Sequence, residues 1–380
     1  MNKIQKFLAD LAKPIRPLPS GMYHYISPPD DARNYRLHLR IEEDGSGILI
    51  INGSTILHLN QSAAEYAYYL TKSFSQQEVA KKMTARYHVD SQQAVDDYQN
   101  LADRIQILIN TPDLDPVTFL DFQRKKPYSG TITVPYRLDC ALTYRLASDN
   151  QILTPGERVK QELPKDAWFA IADKAWKIGI PHLVFTGGEP TLREDLFEIL
   201  NHTEQNGQIT GLLTDGLRFQ DIDYLKHLLA TGLDHLMIVF NPDDPGCWKS
   251  LENVLSEDIF VAVHLTLRSD NKIQIENLIT QLSILGVKAI SLSTNNDEQK
   301  NDLLALRAFI AQKNLELVWN LPVPYSNQNP VRMELKDTPP ELAGRAWLYI
   351  EPDGDVLPAQ EINQVLGNFL TDSWQTIWKQ

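Results

Sequence analysis

The spacing of apolar residues changes near residue 131 and divides the chain into two unlike parts. Before that point, the pattern predicts three short strands followed by three helices. After it, short apolar runs alternate with amphipathic stretches, as expected for parallel strands joined by right-handed helical crossovers. The pattern predicts a small α+β domain of winged-helix type, followed by a larger α/β domain built as a partial (β/α) barrel.

In the first part, period-two alternation marks a strand over 35–41, and Asn52-Gly53 indicates a hairpin between two more strands. Amphipathic helices follow the cap candidates Asn60, Ser75 and Ser91. We assign residues 31–110 to this small domain. Residues 1–30 contain many prolines, so we expect a tail without regular strands.

The second part offers seven strand candidates separated by helices, several of which end at a glycine. Barrels of this kind carry functional groups at the carboxyl ends of their strands. We assign 111–130 to a linker, 131–330 to the barrel, and 331–380 to a short C-terminal extension.

Composition narrows the class of protein. Hydrophobic residues make up 43% of the chain and charged residues 22%, as in ordinary soluble proteins. The N-terminal stretch carries Asp10 and lacks a cleavage-site pattern, so we expect a cytoplasmic protein. A formal net charge of −13 argues against nucleic acid as the main partner, because such binding needs a cationic surface. The two cysteines, Cys140 and Cys247, are too few for a disulfide framework or a cysteine metal cage.

One motif stands out where a predicted strand ends: the string TGGEPTLREDL over 186–196. Its two glycines allow close approach of the backbone to a ligand, and Pro190 suits the first position of a helix. A helix N-terminus there would favour anionic groups. The motif indicates a ligand-binding turn, although a tight strand-to-helix turn alone would also explain a Gly-Gly pair.

The full string resembles the S-adenosylmethionine-contacting motif of the radical SAM superfamily, in its peptide-modifying branch. The resemblance implies S-adenosylmethionine as a candidate cofactor, with Gly187, Gly188 and Glu189 facing its methionine amino group. Thr214 and Asp215 stand where such proteins have a Thr-Asn-Gly strand end, and Asp215 adds a negative charge.

Both ends of the chain show further resemblances. The C-terminal segment with its PDG and LGN turns resembles the SPASM extension of that superfamily. Residues 56–83 resemble the peptide-recognition domain typified by the D protein of pyrroloquinoline quinone synthesis, a RiPP recognition element. This implies a precursor peptide as partner, bound by strand addition at a sheet edge.

The chain departs from the family at the iron–sulfur cluster. The family holds a [4Fe–4S] cluster with three cysteines spaced CxxxCxxC after the first barrel strand. Aligned on that spacing, the chain has Cys140, Tyr144 and Ala147, and Ala359 replaces the SPASM cysteine. Tyrosine and alanine are poor substitutes for thiolates. We therefore expect no standard cluster, with Cys140 either a vestigial ligand or, as we favour, a buried thiol.

Four polar residues, Glu189, Asp215, Asn241 and His264, are predicted to converge over the barrel mouth. A hydrogen-bonded polar pocket is the interpretation we favour. Binding of a divalent metal and acid–base catalysis are the alternatives.

The leading hypothesis is a degenerate radical SAM-like protein of a peptide (RiPP-type) maturation pathway. The alternatives are a SAM-binding enzyme with non-radical chemistry, a radical SAM enzyme whose cluster ligands are atypical or mutated, and a DNA-binding regulator. The sequence leaves open whether the protein is an enzyme, and it gives neither the substrate nor the oligomeric state.

Overall fold

The fold is described from a computed structural model. The structure describes residues 15–111 apart from 29, 32 and 54, then 132–146, 159, 161–268, 271–294, 299–318, 321–325 and 343–378. The chain divides into two compact units, Met1–Thr133 and Val134–Gln380. Among the helices of the described ranges, none has the length and apolar character needed to cross a membrane.

The first unit is an antiparallel sheet followed by three helices. Its strands lie in the order β1 (Gly21–Ile26), β2 (Arg36–Ile41), β3 (Gly47–Ile51) and β4 (Thr55–Leu59). The helices are α1 (Gln61–Thr71), α2 (Gln76–Arg86) and α3 (Ser91–Asn110). Asn60 caps α1 by accepting from Ala63 N at 2.9 Å, and Ser75 forms a capping box with Glu78. Alternate strand residues pack against α1 and α3, as the predicted pattern requires.

The expectation of a tail over residues 1–30 missed one strand. β1 pairs with β2 along its whole length, from Gly21 opposite Ile41 to Ile26 opposite Arg36. Pro19 and Pro28 lie outside the strand, so they remove no hydrogen bond from its ladder. Residues 1–14 lie outside the described part of the chain, as does most of the predicted linker over 111–130.

The second unit contains a mostly parallel sheet. Strand β5 (Arg137–Thr143) is followed along the chain by β6 (His182–Gly187), β7 (Ile209–Thr214), β8 (His235–Val239), β9 (Phe260–Leu267), β10 (Ala289–Thr294) and β11 (Glu316–Leu317). The intervening helices are α4 (Lys165–Ile178), α5 (Leu196–Gln205), α6 (Ile222–Leu229), α7 (Pro245–Leu255), α8 (Lys272–Leu285) and α9 (Lys300–Gln312). Short 3₁₀ turns, Pro190–Leu192 and Leu217–Gln220, follow β6 and β7.

The C-terminal extension continues this sheet. β12 (Trp347–Ile350) pairs in parallel with β5, and β13 (Asp355–Leu357) and β14 (Gly367–Asn368) follow in antiparallel order before the short helix α10 (Trp374–Ile377). The sheet order is therefore β11-β10-β9-β8-β7-β6-β5-β12-β13-β14. This α/β architecture confirms the predicted fold class.

The two faces of the second sheet have different environments. One face packs against the helices, and Leu138, Cys140 and Leu142 of β5 belong to that helix-side core. The opposite, inner face carries one apolar residue from each of five consecutive strands: Val184, Leu213, Met237, Ala262 and Ala289. Because β5 to β11 run parallel, their carboxyl ends meet at one edge, where the candidate site lies.

Candidate functional site

The glycines of the motif lie against the end of β5. Gly188 N donates to Thr143 O at 2.7 Å, and Glu189 N donates to Arg145 O at 2.8 Å. A Cβ atom would come within 2.0 Å of Thr143 O at Gly187 and within 2.2 Å of Arg145 O at Gly188. Packing of one strand end on another therefore requires both glycines, whereas the sequence suggested approach to a ligand.

The carboxylate of Glu189 joins the ends of β6 and β7. Its Oε1 atom accepts from Thr191 N at 2.9 Å, Thr191 Oγ1 at 2.5 Å and Thr214 Oγ1 at 2.7 Å. Its Oε2 atom accepts from Asp215 N at 2.7 Å. All of these donors belong to the chain itself, so this buried carboxylate is held in place before any ligand binds.

Asp215 takes the position where the resembling family has asparagine. Burial and then the nearby charge of Glu189 raise its pKa to about 8. Its Oδ1 atom accepts from Leu217 N at 2.9 Å. Below that pH the Glu189–Asp215 pair retains a proton, through which the Asp215 carboxyl donates toward Glu189, as an amide would. The substitution for asparagine keeps the donor and adds little charge.

His264 and Asn241 are not hydrogen-bonded to this group within the described residues. His264 is fully buried, with Nδ1 3.0 Å from Ser291 Oγ and Nε2 2.9 Å from Ser293 Oγ. Burial lowers its pKa to about 3, so the ring is neutral and both its nitrogens are engaged. Asn241 Oδ1 accepts from Asp243 N at 3.1 Å in the turn before α7.

The four predicted residues thus separate into a Glu189–Asp215 pair and two locally bonded side chains. Over the described ranges, no group of three His, Cys, Asp or Glu residues is arranged to hold a metal ion. The metal alternative gains no support from this part of the chain.

The structure corrects the placement of both cysteines. Cys140 lies in the middle of β5 and is fully buried in the helix-side core, whereas the alignment placed it in the loop after the strand. That loop begins only at Tyr144, and Ala147 lies outside the described residues. The alternation of Leu138, Cys140 and Leu142 explains the error, since all three share the apolar face of a strand. Cys247, expected in a loop, is buried in α7, which starts at Pro245.

Neither thiol is suited to bind a metal. Burial, with a contribution from Asp139, raises the pKa of Cys140 well above its ordinary value, and burial raises that of Cys247 to about 11. A [4Fe–4S] cluster needs several thiolates in one loop. With both cysteines of the chain inside the helix-side core, the residues present do not fit that cluster.

A buried tyrosine cluster near the end of β5 was not foreseen from the sequence. Tyr144 donates from its hydroxyl to Glu351 Oε1 at 3.0 Å, and its ring lies edge-on to Tyr325 at 5.5 Å. Tyr349 packs in the same cluster. Burial raises the pKa of Tyr144 well above its ordinary value, so it stays protonated. The available signal was the two-residue spacing of Tyr349 and Glu351 at the end of β12, which places both on one face of the strand.

The chain resembles known proteins in sequence and in fold. Residues 140–245 match the family model of the Radical SAM superfamily. The "PqqA peptide cyclase" of Granulibacter bethesdensis is 31% identical over 88 residues, which is 23% of this chain and 23% of that protein. The chain therefore matches about a quarter of the length of this curated relative.

Two solved structures of Streptococcus suis SuiB resemble this chain over most of its length. The complex with precursor peptide SuiA has a TM-score of 0.59 at 14% identity, and the complex with S-adenosylmethionine has 0.56 at 15%. Both alignments cover 93% of this chain and 88% of SuiB. At this identity, the likeness is one of fold. Residues 140–245 thus match the Radical SAM superfamily, and the chain is similar in fold to a protein solved with a precursor peptide and with S-adenosylmethionine.

Proposed function

We propose that this chain is a degenerate radical SAM protein of a peptide (RiPP-type) maturation pathway, which binds a precursor peptide through its first unit. The observation that carries the proposal is the edge strand β4 of the N-terminal sheet. Its sequence, with the helix that follows, is the part that resembles peptide-recognition domains. The SuiB structure with a bound precursor peptide supports a peptide as the substrate class. A cytoplasmic location belongs to the same proposal.

β4 offers what strand addition needs. Within the described residues it pairs on one side only, with β3, so its other backbone edge can hydrogen-bond an extended peptide. Leu57 and Leu59 anchor the strand in the helix-packed core, while Ile56 is only half-buried. A peptide strand would therefore lie beside a rigid edge and place alternate side chains next to Ile56.

The test is a binding titration of the full chain with synthetic peptides from the short reading frames adjacent to its gene. We expect hydrogen exchange to slow over Thr55–Leu59 when peptide binds, because the outer amides of β4 become paired. Ile56→Asp should weaken the affinity at least about tenfold by placing a charge against the added strand. Ile26→Asp, on the opposite edge strand β1, is the matched control and should bind normally. Equal loss in both variants, or protection elsewhere only, would contradict the proposal.

Standard radical chemistry is not part of the proposal, because the chain's two thiols lie in the helix-side core. The burial of Cys140 also argues against the alternative of an active radical enzyme that uses this cysteine as an atypical cluster ligand. The remaining alternative is a radical enzyme whose cluster cysteines were removed by mutation. If it is correct, cysteines introduced after Tyr144 should bind iron.

A second candidate, a SAM-binding enzyme with non-radical chemistry, is favoured by the intact turn. Gly187, Gly188 and the fixed Glu189 carboxylate would face the amino group of the ligand, and the chain's own donors orient that carboxylate. Calorimetry with S-adenosylmethionine tests this candidate. Heat that is lost in Glu189→Gln would support it, and no heat at millimolar ligand would oppose it.

A further inference from the structure

A short segment of the chain crosses the inner face of the second sheet. This strap, Leu321–Tyr325, has the sequence LPVPY. Leu321 and Val323 pack on the apolar row that five neighbouring strands present on that face. The face is therefore covered by the chain itself in this region.

Hydrogen bonds fix the strap at three of its residues. Thr186 Oγ1 donates to Pro322 O at 3.0 Å, and Gln360 Nε2 donates to Val323 O at 2.8 Å. Tyr325 N donates to Gly187 O at 2.8 Å. Two of these contacts are made to consecutive residues of the TGGEP motif, so the strap ends at the candidate turn.

The last strap residue also fills the space beside that turn. The ring of Tyr325 is only 1% exposed and packs with Tyr144, Tyr349 and Leu357. Its amide donates to the carbonyl of Gly187, so the backbone of the strap lies directly against the first glycine of the turn. Because the helix-side face of the sheet is already filled, a ligand at the turn that extends over the sheet must lie on the inner face.

We propose that the strap is an intrasteric element, which occupies the place of a ligand at the Gly187–Glu189 turn and must be displaced before that ligand binds. The identity of the ligand, S-adenosylmethionine, rests on the proposed function, whereas the covering of the face does not. If only a small fraction of molecules has the strap displaced, the apparent affinity for the ligand is reduced in proportion to that fraction. Loosening the strap raises the fraction and therefore raises the affinity. A strap that served only as core would give no such gain.

Thiol labelling tests the cover directly. Ala262→Cys places a thiol in the apolar row under the strap, and the native Cys140 and Cys247 report on global unfolding because both are buried elsewhere. Leu321→Ser with Val323→Ser removes apolar contacts of the strap, and Leu304→Ser on the exposed side of α9 is the control. We expect at least tenfold faster labelling at position 262 with the loosened strap, with Cys247 still protected and the control unchanged.

Equal labelling at position 262 with intact and loosened strap, in folded protein, would overturn the proposal. If the double variant does not fold, Gln360→Leu removes one anchor of the strap and must give a smaller acceleration in the same direction. Failure of that variant to accelerate labelling would also overturn it.

Calorimetry separates the strap from its assigned ligand. We expect S-adenosylmethionine to bind the loosened variant at least tenfold more tightly than the natural chain. Suppose that labelling at position 262 is faster in the loosened variant but that S-adenosylmethionine binds neither protein. The strap would then still be a displaceable cover, and the assignment of S-adenosylmethionine as its ligand would be wrong. Binding of equal strength in both would overturn the intrasteric role.

Discussion

At the scale of single residues, the Glu189–Asp215 pair is the most informative feature. The sequence predicted that Glu189, Thr214 and Asp215 lie close together, and Thr214 Oγ1 and Asp215 N both donate to the Glu189 carboxylate. What the sequence could not supply is the burial that makes Asp215 a donor, since a pKa depends on surroundings assembled from separate strands. His264 shows the same limit, because its serine partners lie on the neighbouring strand β10.

The raised pKa of Asp215 predicts a pH dependence of stability. Its pKa is about 8 in the folded protein against an ordinary value of 3.8, so folding retains a proton that the unfolded chain releases. The contribution is fully present below pH 4 and is lost as pH rises toward 8, by at most about 1.4 kcal/mol per pH unit. Asp215→Asn should keep the donor and flatten this slope, measured by urea unfolding from pH 5 to 9. The exposed Asp258→Asn is the control, and an equal slope in the natural chain and Asp215→Asn would contradict the assignment.

His264 predicts the opposite slope at acid pH. Its pKa is about 3 in the folded protein against 6.5 ordinarily, so the unfolded chain binds a proton that the folded protein excludes. Its contribution to stability is present above pH 6.5 and falls as pH drops toward 3. NMR of the ring should show a neutral imidazole at pH 5. A protonated ring at that pH would contradict the buried geometry.

At the scale of elements, the close contact between β6 and the end of β5 determines the site. Strand periodicity predicted both strands, but it could not show that the motif glycines serve this contact. Cys140 is a buried thiol, as favoured from the sequence, but alignment on cysteine spacing wrongly placed it after the strand rather than within it. The strap could not be foreseen, because Pro322 and Pro324 argue against a strand there and its partners are distant in sequence.

The glycine contact predicts a large cost for Gly188→Ala. The added Cβ would lie 2.2 Å from Arg145 O, a backbone atom, so the two strand ends must separate. We expect a loss of about 3 kcal/mol in the free energy of unfolding, the upper end of the usual overpacking range. Gly286→Ala has open space and only an unfavourable φ of +105°, so about 1–2 kcal/mol is expected there. Chemical denaturation of both measures the difference, and a smaller loss for Gly188→Ala would contradict the contact.

Arg193 holds the end of β5 close to the residues that precede α4, so we expect its side chain to matter for stability. It donates to Leu142 O at 3.0 Å and Leu163 O at 3.1 Å, and it pairs with Asp195 at 2.7 Å. Because Arg193 is 7% exposed, Arg193→Met leaves buried acceptors unpaired and should cost about 3 kcal/mol. Arg218→Met, which removes one bond from an exposed arginine to Thr191 O, should cost less than about 1.5 kcal/mol. Thermal unfolding of both variants checks this ranking, and equal losses would contradict it.

At the scale of the whole molecule, the sequence predicted the α/β class and the change of pattern near residue 131. The C-terminal extension turned out to join the main sheet through β12, a pairing that links residues far apart in sequence. In the proposed function, the first unit recognises a peptide, and the second unit, whose two thiols are core residues, assembles no standard cluster.

The most direct test is the iron and acid-labile sulfide content of the full chain after anaerobic reconstitution. We expect far less than one cluster per chain, and no difference between the natural protein and Cys140→Ser. About four irons and four sulfides per chain, lost in Cys140→Ser, would contradict it.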